Sequence, residues 1–142
     1  MPRIKIDFPV KYFNIEINIP VRITDVNYGD HVGNDSLVAI IHEARMQFLQ
    51  HYGYTELNIE GIGLIMSDLI VEFKNESFYK DIMQVKIGRG DISKVSFELI
   101  YQLTTLRENK KIVIANAKTT MICFDYKLKK VVSLPQKLKA IL

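Results

Sequence analysis

The chain has little of what marks secreted or membrane proteins. Its 142 residues include one cysteine, Cys123, which excludes an intrachain disulfide and suits a reducing compartment. Because Cys123 lies in the apolar stretch 121–124, it is predicted to be a buried strand residue rather than a nucleophile. The first seven residues alternate charged and apolar types and lack a signal-peptide core. No apolar run approaches the roughly 18 residues that span a bilayer. A cytoplasmic protein without a membrane partner is therefore expected.

A large excess of charge of one sign is also missing. Lysine and arginine number 19 against 16 aspartate and glutamate residues, which gives a net charge of +3 at pH 7. So small an excess can attract an anionic ligand, but it does not support a nucleic-acid partner. Hydrophobic residues make up 48% and charged residues 25%, as in folded soluble domains. Since no linker or repeat divides the chain, residues 1–142 are predicted to form one domain.

One segment carries a strong helical pattern. Its apolar residues recur at spacings of three and four, which predicts a helix over residues 35–52 with a single apolar face. They are Leu37, Ile40, Ile41, Ala44, Phe48 and Tyr52. Asn34 or Asp35 is expected to cap the N-terminus, and Gly53 to end the helix.

The rest of the chain alternates apolar and polar residues with the period of strands. A first strand is predicted over 15–19, continuing past Pro20 to residue 23, and four more follow the helix. Those four are predicted over 64–73, 82–88, 95–103 and 112–124, as an antiparallel meander. A lone helix buries its apolar face only if the sheet curls around it. This order predicts an α+β hotdog fold, with about five antiparallel strands wrapped around one long central helix. Another α+β sandwich with one helix is the alternative.

The polar loop before the helix carries the most specific pattern. It runs Asp25-Val26-Asn27-Tyr28-Gly29-Asp30-His31-Val32-Gly33-Asn34-Asp35. This resembles the signature of the 4-hydroxybenzoyl-CoA thioesterase-like superfamily, Asp-x-Asp-x-x-Gly-His-Val-Asn-Asn, which leads into the central helix. The later Glu43-Ala44-Arg45 is similar to that family's helix. The resemblance implies a hotdog fold and an acyl-CoA or acyl-carrier-protein substrate, whose thioester is hydrolysed.

The loop departs from that signature where the family's usual catalytic carboxylate stands. Asn27 occupies the position, and an amide can neither take up a proton nor attack as a carboxylate nucleophile. Asp30 and Gly33 also replace the usual glycine and first asparagine. The loop is similar to a branch of the superfamily that reads Asp-x-Asn-Tyr-Gly-x-His-x-Gly-Asn-Asp. The family's aspartate mechanism therefore cannot be transferred unchanged.

The resemblance assigns polarisation of the carbonyl to the start of the helix. The first backbone N–H groups of a helix have no internal partner and lie at its positive end. By resemblance, the N–H at Asn34 points at the thioester oxygen. Gly33 beside it allows the substrate to approach the backbone closely.

Four side chains are candidates for activating water, and each has a structural alternative. Asp25 is the remaining carboxylate of the motif, or an acceptor for loop N–H groups. Glu43 is a carboxylate on a flank of the helix, or a solvated residue there. His31 can orient water near neutral pH, or brace the loop. Asn27 can position water, or form a turn.

Two further expectations concern binding. Asp68, in the strand after the helix, is a candidate substrate-binding residue if it faces a cleft, and otherwise a solvated one. The three histidines lack a metal-binding spacing, and no metal or cofactor is predicted. By family resemblance, the substrate tunnel lies between subunits whose sheets meet edge to edge, which implies a homodimer or homotetramer.

Two other functions stay open. Asn27 at the carboxylate position favours an acyl-thioester binding or regulatory module that does not turn its ligand over. A hotdog hydratase is the third interpretation. In that group the aspartate and histidine usually stand five positions apart, whereas Asp25 and His31 are six apart.

Overall fold

The structure is a computed structural model that describes residues 3–9 and 11–142. Within these ranges the chain forms six strands, two α-helices and one 3-10 turn. The strands are β1 (Tyr12–Pro20), β2 (Gly63–Phe73), β3 (Ile82–Ile92), β4 (Ser96–Arg107), β5 (Lys110–Asp125) and β6 (Lys130–Val131). The helices are α1 (Asn34–His51) and α2 (Gln136–Ile141), and the 3-10 turn covers Ile23–Asp25. No helix of the described ranges is long and apolar enough to cross a membrane.

The strands form one antiparallel sheet in the order β1-β3-β4-β5-β2, with the two-residue β6 paired to β5. The meander predicted for the four strands after the helix is therefore wrong in one respect. β3, β4 and β5 follow one another as hairpins, but β2 pairs with β5 and β1 pairs with β3. Pairing of consecutive strands is only a majority tendency, and here residues 74–81 carry the chain from the edge strand β2 across the sheet to β3, which lies beside the opposite edge strand β1.

The sheet curls around α1 and covers its single apolar face, as predicted. The predicted residues of the helix stripe from Leu37 to Phe48 are buried, while Tyr52 is partly buried. They pack against the inward-facing rows of the central strands, which include Val85, Leu99 and Ala117. Irregularities of register in β2, β3 and β4 accompany the curvature. Full burial of one such Leu, Ile or Phe side chain contributes about 1.5–3 kcal/mol.

The ends of two elements differ from their predictions. β1 ends at Pro20 and the chain turns into the 3-10 segment, because proline has no N–H to continue the ladder. The predicted side-chain cap of α1 is wrong: Gly33 is the N-cap residue, and no side chain bonds the free N–H groups. At the other end Gly53 adopts a φ of +79°, the left-handed conformation expected after the helix. Cys123 is fully buried, as predicted.

Candidate functional site

The loop between the 3-10 turn and α1 closes on itself through backbone hydrogen bonds. The Asn27 N–H donates to the His31 carbonyl at 2.9 Å, and the Asp30 N–H donates to the Asn27 carbonyl at 3.1 Å. Asp30 takes a left-handed φ of 64° at the tip. The Gly33 N–H then donates to the Asp25 carbonyl at 3.1 Å. Both ends of the loop are thus held together directly before the helix begins.

Asp25 has its carboxylate committed to the loop. The side chain is buried, and its Oδ2 accepts the Arg22 N–H at 2.9 Å. Its Oδ1 lies 3.6 Å from the Arg22 guanidinium. The geometry supports the structural alternative for Asp25, in which the carboxylate is an acceptor for loop N–H groups.

Asn27 and His31 face one another across Gly29. Asn27 Oδ1 accepts the Gly29 N–H at 2.8 Å, which is the turn geometry expected of an asparagine here. A methyl group placed on Gly29 would lie 3.2 Å from Asn27 Oδ1 and 3.3 Å from His31 Nε2. The other ring nitrogen of His31, Nδ1, lies 3.1 Å from the Val32 carbonyl. When Nδ1 donates to that carbonyl, neutral His31 presents Nε2 as an acceptor.

The start of α1 presents free backbone donors. The Gly33 carbonyl accepts the Leu37 N–H at 2.9 Å, which is the first bond of the helix. The N–H groups of Asn34, Asp35 and Ser36 have no acceptor among the described residues. Because α1 is 18 residues long, these donors lie at the positive end of a full helix dipole. They can stabilise an oxygen that gains negative charge.

A cavity of about 560 Å³, here called the His31 cavity, opens beside these donors. Its apolar lining residues are Val32, Leu37, Phe73, Phe78 and Ile114. Its polar lining residues are His31, Asn34, Lys74, Asn75, Glu76, Ser77 and Arg107. A cavity with both kinds of lining can hold an apolar acyl group beside polar groups that orient it.

The wall of the His31 cavity is braced by an ion pair that the sequence did not reveal. Arg107 Nη2 donates to Asp81 Oδ2 at 2.8 Å and to the Glu76 carbonyl at 2.9 Å. Its guanidinium lies 4.9 Å from the centre of the Phe78 ring. The Ser77 carbonyl accepts the Val32 N–H at 2.8 Å, so this wall also holds the loop.

The pKa of Asp81 reflects this bracing. Burial by itself raises the pKa, but hydrogen bonds from Arg107 and the Phe78 N–H outweigh it and lower the pKa below the ordinary 3.8. No local pattern in the sequence links Arg107 to Asp81, because the two residues are 26 positions apart. Asp81 lies in the loop before β3, and Arg107 ends β4.

Asp25 and Glu43 lie on a different cavity, here called the Glu43 cavity. It has a volume of about 460 Å³ and runs between the end of β1 and the outer flank of α1. Arg22 and His42 also line it. Glu43 is exposed there and accepts a hydrogen bond from Gln47 Nε2 at 3.3 Å. Within one subunit, the carboxylate candidates are therefore separated from the donors at Asn34.

The other three predicted residues, Asn27, Gly33 and Asp68, line neither cavity. Gly33 is buried behind the loop, directly before the free N–H groups of α1. Asp68 is an exposed residue of β2, opposite Thr120 of β5. In the described residues Asp68 faces no cleft, so a role in substrate binding would require a second subunit.

The comparisons with known proteins agree with this geometry. The model of the thioesterase-like superfamily matches residues 21–142, which include the loop, α1 and five of the strands. The chain belongs to this superfamily. A curated protein of Aquifex aeolicus that carries the provisional name of an esterase is 28% identical over 102 residues, which are 70% of this chain and 75% of that protein. Members of the superfamily with solved structures share the hotdog fold predicted from the sequence.

Two solved structures superpose closely on this chain. A 1,4-dihydroxy-2-naphthoyl-CoA thioesterase from Synechocystis superposes with a TM-score of 0.78 at 19% identity, over 89% of this chain and 93% of that one. An aspartate-to-asparagine variant of a 4-hydroxybenzoyl-CoA thioesterase, in complex with 4-hydroxybenzoyl-CoA, superposes with a TM-score of 0.80 at 12% identity. That match covers 89% of this chain and 96% of the other. At these identities the likeness concerns the fold.

Proposed function

We propose that this protein hydrolyses an acyl-CoA thioester to the free acid and thiol. The observation that carries the proposal is the row of free N–H groups at the start of α1, beside the apolar His31 cavity. Membership of the thioesterase-like superfamily supports it, as do neighbours that act on CoA thioesters. An acyl-carrier-protein thioester has the same reacting group and is the alternative carrier.

In this proposal the thioester oxygen accepts the Asn34 N–H, and the acyl group enters the apolar part of the His31 cavity. Removal of one such donor from an enzyme typically lowers the rate by about 10² to 10³. His31 Nε2 and the amide of Asn27 orient the attacking water. Asp25 holds the loop in shape, consistent with its bonds to Arg22.

We further propose that the working form is a homodimer joined along β2. β2 is an edge strand of 11 residues, and it exposes apolar side chains, Ile65, Met66 and Phe73. An edge of this length and composition is an aggregation hazard unless another strand covers it. The opposite edge, β1, has nine residues and ends at Pro20; both edge strands carry a register shift. Pairing of two copies through β2 would also place Asp68 at the interface.

The test is a thiol-release assay with aromatic and aliphatic acyl-CoAs and the matching acyl-carrier-protein thioesters. The expected result is turnover of at least one acyl-CoA, and a decrease in kcat/KM of about tenfold or more for His31→Ala. His51→Ala is the matched control, because His51 lies at the far end of α1 and lines a different surface. A wild-type protein that releases no thiol from any acyl-CoA would refute the proposal.

Asn27 favours a second candidate, an acyl-thioester binding module without turnover. The same free donors and apolar cavity would hold a thioester that no carboxylate at position 27 can attack. Titration calorimetry separates the two functions: tight binding of an acyl-CoA that is recovered intact after prolonged incubation supports the binding module.

A further inference from the structure

Gly33 lies directly below a small polar space that a second aspartate enters. A methyl group placed on Gly33 would lie 2.7 Å from Asp35 Oδ1. A side chain at position 33 would make the Asp35 carboxylate move, so Gly33 leaves the space that this carboxylate occupies over the start of α1. Asp35 is in the first turn of the helix and its side chain is exposed to solvent, with no ion pair among the described residues.

Asn27 borders the same space from the other side. The methyl position on Gly33 is 3.7 Å from Asn27 Nδ2. Asn27 Cβ lies at the same 3.7 Å, and Asn27 Oδ1 is held by the Gly29 N–H, so Nδ2 is the polar atom of Asn27 that lies near Gly33. Position 27 lacks a carboxylate, but the carboxylate of Asp35 lies within a few ångströms of Asn27.

We propose that Asp35 is the catalytic carboxylate of this protein, and that it activates the water that attacks the thioester. This assignment rests on the proposed hydrolase function and names the base of that site. Asn27 then acts as a positioning residue, whose amide N–H groups hold the water or the carboxylate in place. Gly33 leaves open the space in which they meet.

The proposed step balances as a hydrolysis. Asp35 takes one proton from water as the water oxygen bonds to the thioester carbon, and the carbonyl oxygen accepts the Asn34 N–H as it gains negative charge. The C–S bond then breaks, and the leaving thiolate receives the proton from Asp35. That transfer regenerates the carboxylate of Asp35, and the acid product releases its own proton to solvent.

The other two carboxylates are less suited to this step. Asp25 is buried and accepts the Arg22 N–H, and both Asp25 and Glu43 line the Glu43 cavity. Asp35 lines neither cavity of the single chain, but it directly follows Asn34, which lines the His31 cavity. Asp35 is adjacent in sequence to Asn34, the donor that polarises the carbonyl. One turn of backbone therefore carries both the donor and the base.

The test measures kcat and KM of Asp35→Asn with an acyl-CoA that the wild-type protein hydrolyses. We expect kcat to decrease by about 10² to 10⁴, the usual contribution of a general base. Binding of a non-hydrolysable thioether analogue of that acyl-CoA should stay within about threefold of wild type. The melting temperature should decrease by about 4 °C or less, as for loss of one helix-dipole contact.

Two further variants make the test specific. Asp30→Asn carries the same chemical change in the same loop, at a left-handed position that asparagine tolerates, and should keep wild-type kcat. Asn27→Asp combined with Asp35→Asn moves the carboxylate across the shared space, and should regain at least about tenfold in kcat over Asp35→Asn alone.

The outcomes separate the inference from the proposed function. An active wild-type protein whose Asp35→Asn variant keeps its kcat would overturn the assignment and leave the hydrolase proposal standing. An equal loss of analogue binding and turnover would also overturn it, since Asp35 would then serve substrate binding alone. Absence of hydrolysis in the wild-type protein would overturn both.

Discussion

The role open to each residue of the loop depends on which of its side-chain atoms are already hydrogen-bonded. Asp25, the most conspicuous carboxylate of the motif, accepts a backbone N–H and pairs with Arg22, so its charge is engaged. Asn27 forms the turn that an asparagine at this position predicts. Asp35 was predicted only as a helix cap, yet its carboxylate lies over Gly33. The type of residue indicates the available chemistry, whereas its hydrogen bonds show which part of that chemistry is free.

Cys123 supplies a prediction at the same scale. Burial raises the pKa of its thiol from 9.0 to about 11. At pH 8 the thiolate fraction is then about 100-fold below that of an ordinary cysteine, because each pKa unit is a factor of ten. Iodoacetamide should therefore label the native protein very slowly and the urea-unfolded protein rapidly, as measured by mass spectrometry. Fast labelling of the native protein would contradict a buried thiol, and Cys123→Ala should retain thiol-release activity.

At the scale of elements, α1 is tied to the rest of the molecule by a buried polar network. Arg45 Nε donates to Glu56 Oε1 at 2.6 Å, and the Glu56 carbonyl accepts the Leu64 N–H at the start of β2 at 2.7 Å. Below Arg45, the Tyr101 hydroxyl bonds Thr119 Oγ1 at 2.8 Å. Arg45 lies in the second half of α1, so its bond to Glu56 ties that part of the helix to the loop that leads into β2.

Arg45→Met tests this network. The variant removes the buried Arg45 from the Glu56 carboxylate, which keeps His42 Nε2 at 3.6 Å, and we expect the free energy of unfolding to decrease by about 3 kcal/mol. Adding Glu56→Gln removes the unpaired charge and should restore part of that loss. Urea unfolding measures both, with Arg89→Met on the exposed side of β3 as a control that changes stability by about 0.5 kcal/mol or less. Equal effects of Arg45→Met and Arg89→Met would show that the pair is not structural.

At the scale of the whole molecule, the two edges of the sheet differ in their fitness for pairing. Both edge strands carry a register shift, but β1 ends at Pro20, while β2 is longer and presents apolar side chains to solvent. The sheet therefore has one edge suited to a second copy.

Met66→Lys tests the proposed dimer. A lysine on the open edge places like charges close together in a two-fold pair, and we expect the protein to sediment as a monomer at micromolar concentration. Leu128→Lys, in the exposed turn between β5 and β6, is the matched control and should leave the sedimentation unchanged. A wild-type protein that is already monomeric at this concentration would count against the dimer.

The sequence by itself determined the long helix, the strands, the loop motif and the superfamily resemblance. These depend on periodicity and on neighbouring residues, which local backbone geometry expresses directly. Tertiary structure decided the rest: that β2 pairs with β5, that Arg107 reaches Asp81, and that the Asp25 and His31 side chains face different cavities. These contacts are between residues that are distant in the sequence. Alternation of apolar and polar residues predicts which face of a strand is buried, but it does not predict which strands pair with it.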